Sequence, residues 1–463
     1  MNRPKFTGSL IGLTALLATS VASAEDVAPS YRPAVEVDPD RAGVLDRQPV
    51  NYMPLGVPVG SFILFPTLKL ETGYDSNITA ANSNEKESWL FTVRPAFDLR
   101  SDWTRHFLAF DSYFESTSYA RYSNADYENY AAGARGRVDV TTDFNIGGYA
   151  RFAHLNELPG DDETNADNLG EPLPYNQTTA GVSFDKRFNR LWTTGGFDFR
   201  YRDFANWLDG EPTDQSYRDG SDYEVNGRIG YQISPLTSVF VGGTYHWFDV
   251  ENDDFNSNEY TVITGIQLEP SRLTRGEAFI GYYDWKSDNG YLDGSSGLTF
   301  GGNLQWFITP LVTATFTAGQ QVTTSNFEYD GITGSAVVSS NAGVRLDYEF
   351  RRNIVVSGWF DYLNQDYDEF PRVDNQYVVG AELRYFINRF SVAKINYSFT
   401  DYQTNFNNIN GAETIFEASL LPALPSPTEK CRDRAAHPSG RLLFAPALRR
   451  DRLTHSGRTM TAF

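Results

Sequence analysis

Apolar and polar residues alternate with period two in one segment after another, and the segments are long. In residues 376–385 one face carries Tyr377, Val379, Ala381, Leu383 and Tyr385, and the other Gln376, Gly380, Glu382 and Arg384. Residues 341–350 set Ala342, Val344, Leu346, Tyr348 and Phe350 against Gly343, Arg345, Asp347 and Glu349. Residues 224–233 and 391–400 follow the same rule. A period of two marks a strand whose faces meet different surroundings. Length then discriminates between solvents. Strands of soluble sandwiches usually run about five or six residues, whereas a strand that crosses a bilayer needs about nine to eleven. The segments here are of the second kind.

The connections alternate in length. Short turns fall near Ser101, Thr141, Asn189, Ser234, Pro270, Thr309, Arg351 and Asn388. Longer acidic loops lie between them, at 159–174, 209–222, 249–259 and 366–374. Short turns at one end and long loops at the other are the pattern of outer-membrane barrels. In lipid every backbone group must be paired, so a spanning sheet has to close on itself. The expectation is an all-β fold, a transmembrane antiparallel up-and-down β-barrel. It has about eighteen strands, to within about two, so sixteen is the lower count. The barrel occupies residues 61–424, with both ends on the periplasmic side. A β-propeller shares the spacing, but its blades hold four short strands rather than two long ones.

Composition agrees. Mean hydropathy is −0.43 although 15% of residues are aromatic, as expected when apolar residues face outward in alternation. No apolar run long enough for a transmembrane helix follows residue 24. The net charge of −20 disfavours nucleic acid and anionic membrane surfaces. One Cys, Cys431, excludes an intramolecular disulfide and any CxxC metal site.

Two segments flank the barrel on the N-terminal side. Arg3 and Lys5, an apolar stretch from Phe6 and the sequence Ala22-Ser23-Ala24 make residues 1–24 a signal peptide, cleaved after Ala24. The mature chain then leaves the cytoplasm for the Gram-negative outer membrane, among its lipid and lipopolysaccharide. Residues 25–60 are a Pro-rich periplasmic leader, with Pro29, Pro33, Pro39, Pro49, Pro54 and Pro58. Three readings stay open for it: a disordered linker, a docking segment for a periplasmic partner, or a plug folded back into the lumen. At the other end, residues 413–424 fit a closing strand. Residues 425–463 turn basic, with Lys430, Arg432, Arg434 and Arg441 against Glu429 and Asp433. They are read as a disordered tail outside the barrel.

The stretch Asp46-Arg47-Gln48-Pro49-Val50-Asn51-Tyr52-Met53-Pro54-Leu55-Gly56 continues through Val57-Pro58-Val59-Gly60-Ser61-Phe62. With Tyr74-Asp75-Ser76-Asn77-Ile78 at the end of the first strand, it resembles the opening of the putative β-barrel porin 2 family. The resemblance extends over residues 44–424 through the hairpin rhythm. It implies an outer-membrane barrel associated with exopolysaccharide synthesis and export, with periplasmic polysaccharide-export proteins as partners. It supplies no catalytic residue.

The polar phase of the strands gives the lumen-facing candidates. The basic ones are Arg94, Arg135, Arg137, Arg151, Arg187, Arg200, Arg202, Arg228, Arg345 and Arg384. Acids in the same phases are Asp98, Asp139, Asp185, Asp198, Glu224, Asp347, Glu349 and Glu382. Guanidinium forks suit carboxylates, phosphates or sugar hydroxyls in a channel. The bland alternative is an ion-pair ladder, because Arg or Lys at the lipid midplane costs about 2–4 kcal/mol and charges go inside regardless. Tyr149, Phe204 and Phe307 share the polar phase and offer stacking faces for sugar rings. Phe97, Phe184, Phe197, Phe199, Tyr231, Trp306, Tyr385 and Phe399 fall on the lipid side.

Catalysis and metal binding have little support. His106, His154 and His246 lie in no Ser–His–Asp pattern, and Glu251-Asn252-Asp253-Asp254 lacks the spacing of an EF-hand. The chain is expected to be no enzyme and to carry no cofactor. Three functions remain: a polysaccharide-export conduit, a general or solute-selective diffusion porin, and a structural or adhesive barrel without an open lumen.

Overall fold

The computed structural model describes residues 43–46, 52, 54–79, 84–159, 171–208, 211–212, 215–268, 273–288, 294–329, 332–368, 371–405 and 411–422. The expected signal peptide and basic tail lie outside them. The described chain forms eighteen barrel strands. In order these are β1 (Phe62–Asp75), β2 (Ser88–Ser101), β3 (Phe107–Tyr119), β4 (Tyr127–Thr141), β5 (Phe144–Glu157) and β6 (Leu173–Phe188). Next come β7 (Leu191–Phe204), β8 (Gly220–Ser234), β9 (Thr237–Val250), β10 (Ser257–Leu268), β11 (Thr274–Ser287) and β12 (Ser295–Thr309). The last are β13 (Val312–Tyr329), β14 (Ile332–Arg351), β15 (Ile354–Tyr367), β16 (Val373–Asn388), β17 (Ser391–Thr404) and β18 (Gly411–Pro422). Each pairs antiparallel with its sequence neighbours, and β18 returns to β1 in the register Leu70↔Leu420 to Asp75↔Ile415. The sheet has closed, as the pairing requirement in lipid demands.

The strand count agrees with the sequence reading, and the boundaries shift slightly. The closing strand is described as far as Pro422, opposite Ser391, and its expected end at Leu424 lies outside the described residues. Two of the long loops, those expected at 249–259 and 366–374, are shorter than expected because their strands run further. The loop expected at 249–259, for instance, reduces to the residues between Val250 and Ser257.

Alternation decides what each face meets. Val182, Ile229 and Leu298 point outward and are 59%, 59% and 69% exposed, so the apolar band is a lipid-facing surface. Phe97, Phe184, Phe197, Tyr231, Trp306 and Tyr385 are exposed on it. Gly195 lies beneath the ring of Phe184, where a Cβ would stand 2.6 Å from the ring.

Before β1 the chain makes a small hairpin. Val57–Val59 pairs with Phe62–Leu64 and covers that stretch of β1 edge. Gly60 turns it at φ +62°, and Gly56 enters it at φ +65° with no room for a Cβ beside Ile63.

Candidate functional site: the lumen and its two mouths

The inward phase of β2 to β5 carries the densest charge network. Arg135 on β4 reaches Asp98 at 2.9 Å and Asp111 at 3.4 Å. Arg151 on β5 pairs with the same Asp111. Arg94 on β2 is buried, pairs with Glu115 at 3.4 Å and lies 4.0 Å over the Tyr113 ring. Arg151 approaches that ring too, at 5.7 Å, so Tyr113 sits among cations. Arg137 pairs with Asp139 at 2.8 Å on its own strand.

Around the wall, Arg200 on β7 meets Asp222 on β8 at 2.8 Å, and Asp222 also pairs with His246 on β9. Arg228 reaches past two strands to Glu277 on β11 at 3.4 Å and lies 5.1 Å over Phe240. Glu224 accepts a hydrogen bond from Asn226 at 2.9 Å. Arg202 donates to Gln177 at 3.4 Å. On the far side, Arg345 pairs with Asp347 at 2.9 Å, and the Ser357 hydroxyl donates to Asp347 at 2.6 Å. Arg384 pairs with Glu382 at 2.9 Å. Arg187 stands exposed near the short-turn end of β6.

The candidates therefore do not converge on one point. They are spread round the inner wall, and most of the arginines sit in local ion pairs, while Arg202 and Glu224 bond to the amides of Gln177 and Asn226. Asp111, Glu115, Asp222 and Glu277 are partners that the sequence reading did not single out. Among the described residues no group of three or more His, Cys, Asp or Glu is placed to hold a metal ion.

Rings share this wall. The Tyr149 hydroxyl donates to Asp198 at 2.8 Å, and Phe204 and Phe307 are buried inside. Trp359 lies flat over Gly380, its cross-strand partner, with the Arg345 guanidinium 5.1 Å from its ring. Trp192 covers Gly230 in the same way.

The long-loop mouth is narrowed from two sides. The β12–β13 ladder stops at Gly301↔Gly319, and the β14–β15 ladder begins only at Val337↔Tyr367. Between these points β13 and β14 pair with each other alone and form a ribbon outside the ladder of the wall. The ribbon turns inward. Val322 and Ala336 pack on Tyr283 and Trp285 of β11. Trp285 Nε1 donates to Thr324 Oγ1 at 3.0 Å, and the Ser257 and Thr324 hydroxyls are 2.5 Å apart.

Elsewhere on this mouth, the described part of the β7–β8 loop tucks in. Arg218 is buried, forks onto Glu157 of β5 at 2.9 and 2.8 Å and stacks 4.1 Å over Phe204. Beside it, burial pushes the Asp219 carboxyl up, against the Phe204 N–H that donates to it at 2.7 Å.

The short-turn mouth holds the leader. Val44 is buried against Val355 and Phe386, with Leu45, Tyr52 and Val392 packed around them. Its N–H donates to Thr313 Oγ1 at 3.0 Å. Asp46 approaches Arg275 at 3.8 Å. All these wall residues belong to the inward phase at the periplasmic ends of their strands. Of the three readings open for the leader, its described residues take the inward one.

A closed barrel with a lipid-facing apolar band, a charged lumen and folded-in mouths defines an outer-membrane β-barrel of the porin class. The family model described as "Putative beta-barrel porin 2" matches residues 48–421. The chain belongs to that family, and its place is the Gram-negative outer membrane.

No curated protein matches the chain. Solved structures do resemble it. A BenF-like porin from Pseudomonas fluorescens Pf-5 is 11% identical, with 78% of this chain and 99% of that one covered, at a TM-score of 0.44. OpdK of Pseudomonas aeruginosa, solved with vanillate, is 13% identical over 78% and 99%, also at 0.44. The siderophore receptor PirA of Pseudomonas aeruginosa is 10% identical over 80% and 81%, at 0.41.

Proposed function

We propose that the barrel is a non-catalytic conduit for an uncharged, hydroxyl-rich polymer, an exopolysaccharide on its way out of the cell. The observation that carries this reading is the charge balance of the wall. Arg135, Arg151, Arg200, Arg228, Arg345 and Arg384 each pair with a carboxylate, so the lumen offers hydrogen-bonding forks whose charge is largely offset. Flat indoles such as Trp359 and Trp192 add faces on which a pyranose ring stacks. The family resemblance supplies the export direction and points to periplasmic export proteins as partners.

Deleting the gene tests it. Polymer then accumulates in the periplasm and disappears from the medium, while uptake of small solutes is unchanged. Normal export combined with slowed uptake of a nutrient favours the second reading, a diffusion porin, which the same balanced lumen also suits.

A further inference from the structure

We infer that the periplasmic mouth is a peptide-binding site filled in cis by the chain's own leader, and that this contact keeps the barrel shut. The site has three chemically distinct parts. Val355, Phe386 and Val392 form an apolar floor that takes Val44 and Leu45. The Thr313 hydroxyl accepts the Val44 N–H at 3.0 Å. The Arg275 guanidinium faces the Asp46 carboxylate at 3.8 Å. Its ligand is thus an apolar pair followed by an acid. Gly43 fits the same design, because its N–H donates to Asp46 at 3.2 Å and rounds the segment into a turn.

The contacts run from β11 round to β17, so the leader lies across a large sector of the mouth rather than along one strand. Tyr52 completes it, with its ring 6.0 Å from that of Phe386. Among its described residues, the leader joins the ladder of the wall at the small hairpin of Val57–Val59. The grip of its described residues on the mouth is a small apolar cluster, a hydrogen bond and a long ion pair, which suits a contact made to be released. A pull on the leader from the periplasmic side opens the barrel.

The test is single-channel recording in simple salt, which is independent of any polymer. It uses the full chain and also a form in which residues 321–339 are replaced by a tight Asn-Gly turn, so that the outer mouth is open. Val44→Asp with Asp46→Arg removes the apolar anchor and sets two cations against each other. Conductance is expected to rise about twofold or more in the open-mouthed form. A synthetic peptide of residues 41–54, added on the periplasmic side, lowers it again. Asp46→Arg combined with Arg275→Asp restores the closed level. Heat-modifiable gel migration checks that each variant is folded.

A second measurement needs no release. In a Cys431→Ser background, Val44→Cys and Val355→Cys form a disulfide on oxidation, and channel openings cease until reductant is added. Unchanged conductance on release in the open-mouthed form overturns the inference, and so does failure of the two cysteines to join.

Discussion

Asp111 serves two guanidiniums, those of Arg135 and Arg151. Removing its charge by Asp111→Asn leaves Arg135 with Asp98 and takes from Arg151 its ion-pair partner, so the lumen there becomes more anion-attracting. Stability changes little, because Asn keeps the shape of the side chain and an oxygen that still accepts from both guanidiniums. The prediction is a shift of the reversal potential toward anions with the unfolding midpoint in denaturant almost unmoved. An outward position behaves oppositely. Ile229→Arg puts a cation into lipid one residue from Arg228, at a cost of about 2–4 kcal/mol. Equilibrium unfolding in lipid vesicles reads that difference, and equal costs for the two variants would mean that the faces are exchanged.

Asp219 gives a pH signature outside the spanning segments. Burial raises its carboxyl, so the folded loop prefers the neutral acid. The stability that this contributes is present below the unfolded value of about 3.9 and is lost as pH rises through the raised folded value. Asp219→Asn keeps an acceptor for the Phe204 N–H and carries no charge. The variant should unfold at a higher temperature than the native chain at about pH 7, with the gap closing by about pH 3. A less stable variant at neutral pH would show that the carboxylate's hydrogen bond outweighs its burial.

The ribbon of β13 and β14 is an element that the wall does not hold, and Trp285 is its clasp. Trp285→Ala removes a buried indole and its bond to Thr324, a loss of about 3–5 kcal/mol at a packed site. The barrel stays closed, because Trp285 makes no difference to the ladder of β11 with its neighbours. Limited proteolysis should then cut between Gln320 and Ala336 much faster than in the native chain, with the barrel remainder intact. Equal cutting rates would place the clasp elsewhere.

This element also shows how far the sequence can be read. The lumen phase of Arg94, Arg135, Arg345 and Arg384 is legible because period-two alternation in lipid permits one answer only. The same phase exposes Asp111 and Glu115 on β3 to anyone who counts it. Arg228 with Glu277, and Arg218 with Glu157, are not legible, because their meeting depends on how staggered strands align several positions away. The ribbon is hidden for a different reason. A hairpin that leaves the wall alternates like one that stays. What marks β13 and β14 is length, 18 and 20 residues where β15 and β17 have 14 each. For the leader, composition leaves three readings open, and packing against Val355 and Phe386 selects among them.

At the largest scale, the barrel is a tube whose wall is settled by lipid and whose use is settled by what lies inside. Lipid exclusion alone would place arginines in the lumen without matching them. The matching of Arg135, Arg151, Arg345 and Arg384 to carboxylates is what the proposed ion neutrality of the conduit rests on. The overall charge of −20 does not describe the channel, because much of the acid surplus sits in the loops.

The direct test is the reversal potential across a salt gradient, recorded on the barrel with its leader released and its ribbon trimmed, so that only the wall confronts the ions. A charge-balanced wall predicts a reversal potential close to zero, with anions and cations passing almost equally. A strong preference for either ion would contradict it.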